Sequence, residues 1–201
     1  MTLAQPHITR PELTMPAPEA AALRLAYDQA GVILEYGSGG STVLAAEMAG
    51  KHVTTVESDR KWARMMKRWF QAHPPAAGTE VEVIWSNIGP TRAWGHPVDD
   101  GEWRRFADYP LAVWQRKGFR HPDVVLVDGR FRIGCALATA FSITRPVTLL
   151  FDDYGRRKWF HKVEEFIGTP RMVGRMALFD LAPRAIPPAQ LLKIIRFMTR
   201  P

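Results

Sequence analysis

Apolar positions along the chain follow two periods that alternate. Short apolar runs of strand length occupy residues 32–36, 53–57, 81–85, 123–127 and 147–151. Between the second and third, Trp62, Met65, Met66, Trp69 and Phe70 recur at i, i+3, i+4, i+7 and i+8. That is one face of an amphipathic helix, and these side chains are expected in the core. Further helices are expected over 19–30, closed by Gly31, and over 41–49, 133–143 and 156–167. Strands that alternate with helices imply right-handed βαβ units and a mostly parallel sheet with helices on both faces. VVLVD and VTLLFDD read as strands buried on both sides. The end of the chain differs. Residues 171–181 and 191–198 are strand-like and joined by a proline-containing loop, which predicts a terminal antiparallel pair.

With 201 residues and no internal repeat, the expectation is one domain over 19–201, preceded by a proline-rich arm over 1–18. One stretch breaks the alternation. Residues 89–122 carry Trp94, Trp103, Phe106, Tyr109, Trp114 and Phe119 among Gly, Pro and Arg, so a substrate-covering lid, a packed insertion and a homodimer contact all remain open. A composition 46% hydrophobic and 23% charged excludes a disordered or fibrous chain. No apolar run approaches the roughly 20 residues of a membrane helix, no apolar stretch follows basic residues at the N-terminus, and Cys135 has no internal partner. A cytoplasmic protein with no membrane association is therefore expected. The net charge of +7 calls for an anionic partner, either an acidic small molecule or, less favoured, nucleic acid.

Candidate chemistry starts at Glu35-Tyr36-Gly37-Ser38-Gly39-Gly40-Ser41-Thr42, where a strand enters a glycine turn and then a helix. Glycines allow close approach of backbone to a ligand, and free N–H groups point outward from a first helical turn. Glu57 ends the next strand about twenty residues on, where a carboxylate can accept hydrogen bonds from two ribose hydroxyls. The last glycine of a dinucleotide fingerprint is missing, and Thr42 lies beside that position. Asp128, Asp152 and Asp153 end later strands. Ligands in open α/β sheets bind beyond the strand carboxyl ends, so Glu35, Glu57 and these aspartates should converge on one crevice. Such a crevice suits a cationic ligand or a metal and disfavours a pyrophosphate, which argues against a nicotinamide-dependent oxidoreductase.

With those residues in place, the sequence resembles the class I S-adenosylmethionine-dependent methyltransferases over about 20–198. The resemblance rests on residues 35–42, on Val56-Glu57-Ser58, on Ser86-Asn87-Ile88 and on 123–128. It implies a Rossmann-like α/β fold: a mostly parallel seven-stranded sheet of order 3-2-1-4-5-7-6, antiparallel at its C-terminal pair. It also implies that Gly37, Ser38, Gly39 and Gly40 hold the methionine part of the cofactor, Glu57 the ribose, and that Asn87 lies near the adenine. Asp128-Gly129 with Asp152-Asp153-Tyr154 further resembles the three-carboxylate pattern of metal-dependent small-molecule O-methyltransferases, which implies Mg²⁺ at Asp128, Asp152 and Asp153. Helix capping by Asp128 and Asp152, or direct contact of Asp128 with the cofactor, is the competing reading.

Where that family has acidic or neutral residues after its Asp-Gly, this chain has Arg130-Phe131-Arg132, and Arg156, Arg157 and Lys158 open the next predicted helix. These cations suit an anionic acceptor, with a solvated face or pairing with Glu164, Glu165 and the nearby aspartates as the competing reading. The function expected is methyl transfer from S-adenosylmethionine to an oxygen or nitrogen of a small acceptor, with Asp128, Asp152 and Asp153 organising the acceptor site. An RNA or protein methyltransferase and a non-catalytic S-adenosylmethionine-binding protein are the alternatives.

Overall fold

The computed structural model describes residues 9–201, so the first eight residues of the expected arm lie outside the described part. The elements run α1 Ala17–Gln29, β1 Val32–Tyr36, α2 Gly40–Ala46, β2 His52–Glu57, α3 Arg60–Ala72, β3 Glu80–Trp85, α4 Asp108–Leu111, β4 Val124–Val127, α5 Arg132–Ser142, β5 Val147–Phe151, α6 Glu164–Ile167, β6 Arg171–Val173, β7 Met176–Leu181 and α7 Leu191–Met198. Seven strands form one sheet of order β3-β2-β1-β4-β5-β7-β6. β1 to β5 are parallel, and β7 runs antiparallel to both β5 and β6. This is the Rossmann-like methyltransferase architecture that the motifs implied.

Strand periodicity divides the core between the two faces of the sheet. Val125 and Val127 of β4 face one side with Leu34 and Tyr36 of β1, packed under α5 and α7. Val124 and Leu126 face the other with Ile33, packed under Leu23 and Tyr27 of α1. Ala63, Met66 and Trp69 of α3 join Val43 and Val83 in a third cluster. Trp62, read as core, is instead partly exposed, and its indole N–H donates to Ser38 O at 2.7 Å. Among the described residues no helix is long and apolar enough to cross a membrane.

Three expectations are corrected. Both antiparallel strands come from 171–181, as a tight hairpin through Gly174 and Arg175, whereas 191–198 is the helix α7. Its leucines and isoleucines mimic a strand, but Ile194, Phe197 and Met198 are the buried ones, and their spacing is helical. The chain packs this helix directly on α5, where a Cβ on Gly134 would lie 2.9 Å from Phe197 O. The predicted helix over 156–167 shrinks to one 3-10 turn, Phe160–Val163, and α6, so Arg156, Arg157 and Lys158 sit in a preceding turn.

The third correction concerns aspartate capping. α5 is preceded by Phe131 and has no side-chain cap, and Asp152 bonds elsewhere. The segment 89–122 is largely packed rather than free. Phe106, Tyr109 and Val113 enter the core beside β1 and β4, where the crossover between β3 and β4 must cover the sheet. Its rim stays outside, with Trp94 87% exposed.

Candidate functional site

β1 delivers Glu35 and Tyr36 to the carboxyl edge of the sheet, and the chain turns at once through Gly37. Its φ of +98° is a glycine conformation, and a Cβ there would lie 2.8 Å from the Gly129 backbone. The loops after β1 and β4 therefore meet without side chains between them. Gly37 N–H donates to Val56 O at 2.8 Å, tying the turn to β2 as well.

Beneath the turn, Gly39 N–H donates to Thr42 Oγ1 at 3.0 Å, and the Thr42 hydroxyl donates to Glu35. Glu35 is wholly buried and also accepts from Tyr27 O–H at 2.7 Å. Desolvation pushes its pKa up to about 7, against the opposing pull of those donors. Glu35, Ser41 and Thr42 are all buried, so they brace the turn from below. Above α2, the backbone of Glu12 and Leu13 crosses Gly40 so closely that a Cβ there would come within 2.2 Å of it.

Glu57 faces the turn from the end of β2, 8% exposed. One oxygen accepts from Asp59 N–H at 2.8 Å, and the other accepts longer bonds from Ser38 N–H at 3.2 Å and Ser38 Oγ at 3.1 Å. Burial raises its pKa and these donors lower it. The start of the 89–122 segment closes over this acid. Thr91 and Pro97 bridge, Ser58 Oγ donates to Gly95 O at 2.9 Å, and a Cβ on Gly95 would lie 2.3 Å from Ser58 Oγ. Asn87 stands apart, exposed, its carbonyl accepting from Gly89 N–H in a local turn.

The β4–β5 side carries different chemistry. Arg132, buried at the start of α5, donates to three main-chain carbonyls: Gly129 O at 3.0 Å, Asp152 O at 2.6 Å and Asp128 O at 2.9 Å. Its guanidinium also lies 3.1 Å from Asp128 Oδ1 and 3.6 Å from Asp153 Oδ2. Arg175, from the β6–β7 turn, takes both oxygens of buried Asp152 at 3.0 and 2.7 Å. Arg157 takes Asp153 at 3.0 Å. Asp128 alone of the three keeps much of its side chain accessible, 38%, and desolvation and the neighbouring aspartates push its pKa up to about 6 against Arg132.

Those pairings settle the fit of a metal. Each of the three aspartates already has a guanidinium partner, and among the described residues no group of three His, Cys, Asp or Glu side chains is arranged to hold an ion. The Mg²⁺ expected at Asp128, Asp152 and Asp153 does not fit this donor set. The sequence signal was the acid pattern, but the cations that answer it come from 132, 157 and 175, of which Arg175 is local only to a hairpin the sequence hid.

Strand order, glycine turn and the acid closing β2 define a class I S-adenosylmethionine-dependent methyltransferase fold. A methyltransferase-like protein from Silicibacter pomeroyi is 70% identical, with a TM-score of 0.93 over 96% of this chain and 99% of that one. The chain belongs to that methyltransferase family. The cofactor-bound protein Rv0187 from MTB is 20% identical with a TM-score of 0.59, covering 88% of this chain and 85% of its own. The O-methyltransferase TomG from Streptomyces achromogenes, in complex with SAM, is 18% identical with a TM-score of 0.55, over 86% and 82%. These two share the fold. No protein-family model and no curated protein matches the sequence.

Proposed function

We propose that the chain binds S-adenosylmethionine at the carboxyl ends of β1 and β2 and transfers its methyl group to an oxygen or nitrogen of a small, negatively charged acceptor. The observation that carries this reading is Glu57, held almost out of water facing the Ser38 turn. Its bond to the Asp59 amide is short, and its two bonds to Ser38 are long enough to be shared with ligand hydroxyls. Gly37, Ser38, Gly39 and Gly40 supply the surface for the methionine part, while Glu35, Ser41 and Thr42 set the shape of that surface. Asn87 is assigned to the adenine edge.

The cofactor supplies an electrophilic methyl on a sulfonium. The protein contributes alignment and exclusion of water, with Asp128 beside the meeting point of the two loops. Asp128, ionised above about pH 6, takes the proton from the acceptor or orients it. Asp152 and Asp153 act through the arginines they hold. The 70% identical methyltransferase-like neighbour supports the class of reaction.

Incubation with S-adenosylmethionine and a panel of small phenols, amines, carboxylates and phosphate esters, read as S-adenosylhomocysteine formed, tests it. Product with at least one acidic acceptor, lost in Asp128→Asn, is expected. Cofactor binding with no turnover on any acceptor would favour a non-catalytic cofactor-binding protein.

A further inference from the structure

A pocket of about 350 Å³ opens on the acceptor side of Gly129. Gly129 forms part of its wall while its backbone touches the Gly37 turn, so pocket and turn share one boundary. Arg130, Arg157 and Arg200 line it together with His96. The three arginines come from separated places in the chain, and aromatic faces hold two of them. The Arg200 guanidinium lies 3.7 Å from the centre of the Trp159 ring, and that of Arg157 lies 5.6 Å from Phe160.

The charge balance in this pocket is unfilled. Arg157 has Asp153, whereas among the described residues Arg130 and Arg200 have no carboxylate within ion-pair distance. Arg130 Nε is buried without a hydrogen-bond partner, and its terminal nitrogen meets His96 Nε2 instead. A guanidinium can only donate, so Nε2 is the acceptor and the histidine is neutral. Burial first, then Arg130 and the other surrounding arginines, lower the His96 pKa. Burial and Arg132 do the same to Arg130. Phe131, which lines the pocket, holds a left-handed backbone with φ +52°. Strain of that kind persists where surrounding structure holds it.

We propose that this pocket is the subsite for an oxyanion of the acceptor, a carboxylate or phosphate carried on a small ring, gripped by Arg130, Arg157 and Arg200. The inference rests on the methyltransferase reading above and names its acceptor class. Guanidinium forks match both oxyanions in geometry, and the aromatic walls match a flat body. Arg132, which the sequence offered as a second substrate cation, is excluded from the grip because its donors are spent on main-chain carbonyls and aspartates. Anchored there, the acceptor's nucleophilic atom would lie toward Gly129 and Asp128.

The test is calorimetric titration of phenyl phosphate, benzoate and neutral phenol into the whole protein saturated with S-adenosylhomocysteine, repeated with Arg200→Gln and Arg130→Gln. At least one anion should bind, phenol should bind at least tenfold more weakly, and each variant should weaken the anion at least tenfold. Preference between the two anions tells phosphate from carboxylate. Arg200 is exposed, so Arg200→Gln keeps the test readable if Arg130→Gln folds poorly. No anion binding, or binding indifferent to Arg200→Gln, overturns the proposal while S-adenosylhomocysteine still binds. Loss of S-adenosylhomocysteine binding itself would strike the methyltransferase reading, and anion binding could then be read alone.

Discussion

The two halves of the carboxyl edge treat the same residue type in opposite ways. At β1 and β2, Glu35 and Glu57 are answered by hydroxyls and amides, with no ion pair among the described residues, and desolvation raises both pKa values. At β4 and β5, Asp128, Asp152 and Asp153 are answered by arginines. On the proposed function, the first half offers a weakly bonded carboxylate to a cationic, hydroxyl-bearing ligand. The second half spends its carboxylates on fixing guanidinium groups, and excess positive charge remains beyond them at Arg130 and Arg200. A strand-end acid is thus not one signal. Its meaning depends on which donors the rest of the fold brings to it.

The largest effect expected from breaking this contrast is at Arg132. Replacing it with Leu strands the carbonyls of Asp128, Gly129 and Asp152 and frees two aspartates, so urea unfolding should show a loss of roughly 3–5 kcal/mol. Next is the pH response of Glu35. Its pKa is about 7 folded against 4.5 unfolded, so the folded state binds the extra proton between those values. The Glu35 contribution to stability should be fully present below about pH 4.5 and be lost, by about 3 kcal/mol, as pH rises through 7, a decline that Glu35→Gln flattens. That comparison of pH profiles isolates Glu35 from other titrating groups.

Gly37→Ala forces a side chain onto the Gly129 backbone at positive φ and should cost about 1–3 kcal/mol in thermal or urea unfolding. Smallest is Arg157→Gln, an exposed ion pair with Asp153, expected to change stability by less than about 0.5 kcal/mol. The sharpest contrast on the acidic side needs no substitution. Chelation with EDTA should leave methyl transfer unchanged, because arginines already answer the three aspartates; a requirement for added Mg²⁺ would reverse that assignment.

The candidate half of the site at β1 and β2 could be proposed from the sequence, since Gly37, Ser38 and Glu57 stand where strands meet turns. The parallel sheet followed from the alternation of strands with helices, and its strand order from the family resemblance. What stayed hidden depended on distant partners. Arg175 reaches Asp152 only because the hairpin closes at Gly174, while α7 read as a strand until packing on α5 selected its helical face. Gly95 looks like any loop glycine, yet Ser58 makes it the residue that lets a loop rest beside Glu57. Trp62 fits a core stripe by spacing, but its first-turn position lets the indole reach Ser38 O.

The central claim is that Glu57 and the glycine turn hold the cofactor, and calorimetric titration of S-adenosylhomocysteine into the folded protein tests it most directly. The account predicts binding near micromolar strength, about −8 kcal/mol, that Glu57→Ala abolishes without unfolding the chain. No binding to the folded protein, or binding that Glu57→Ala leaves intact, would contradict it.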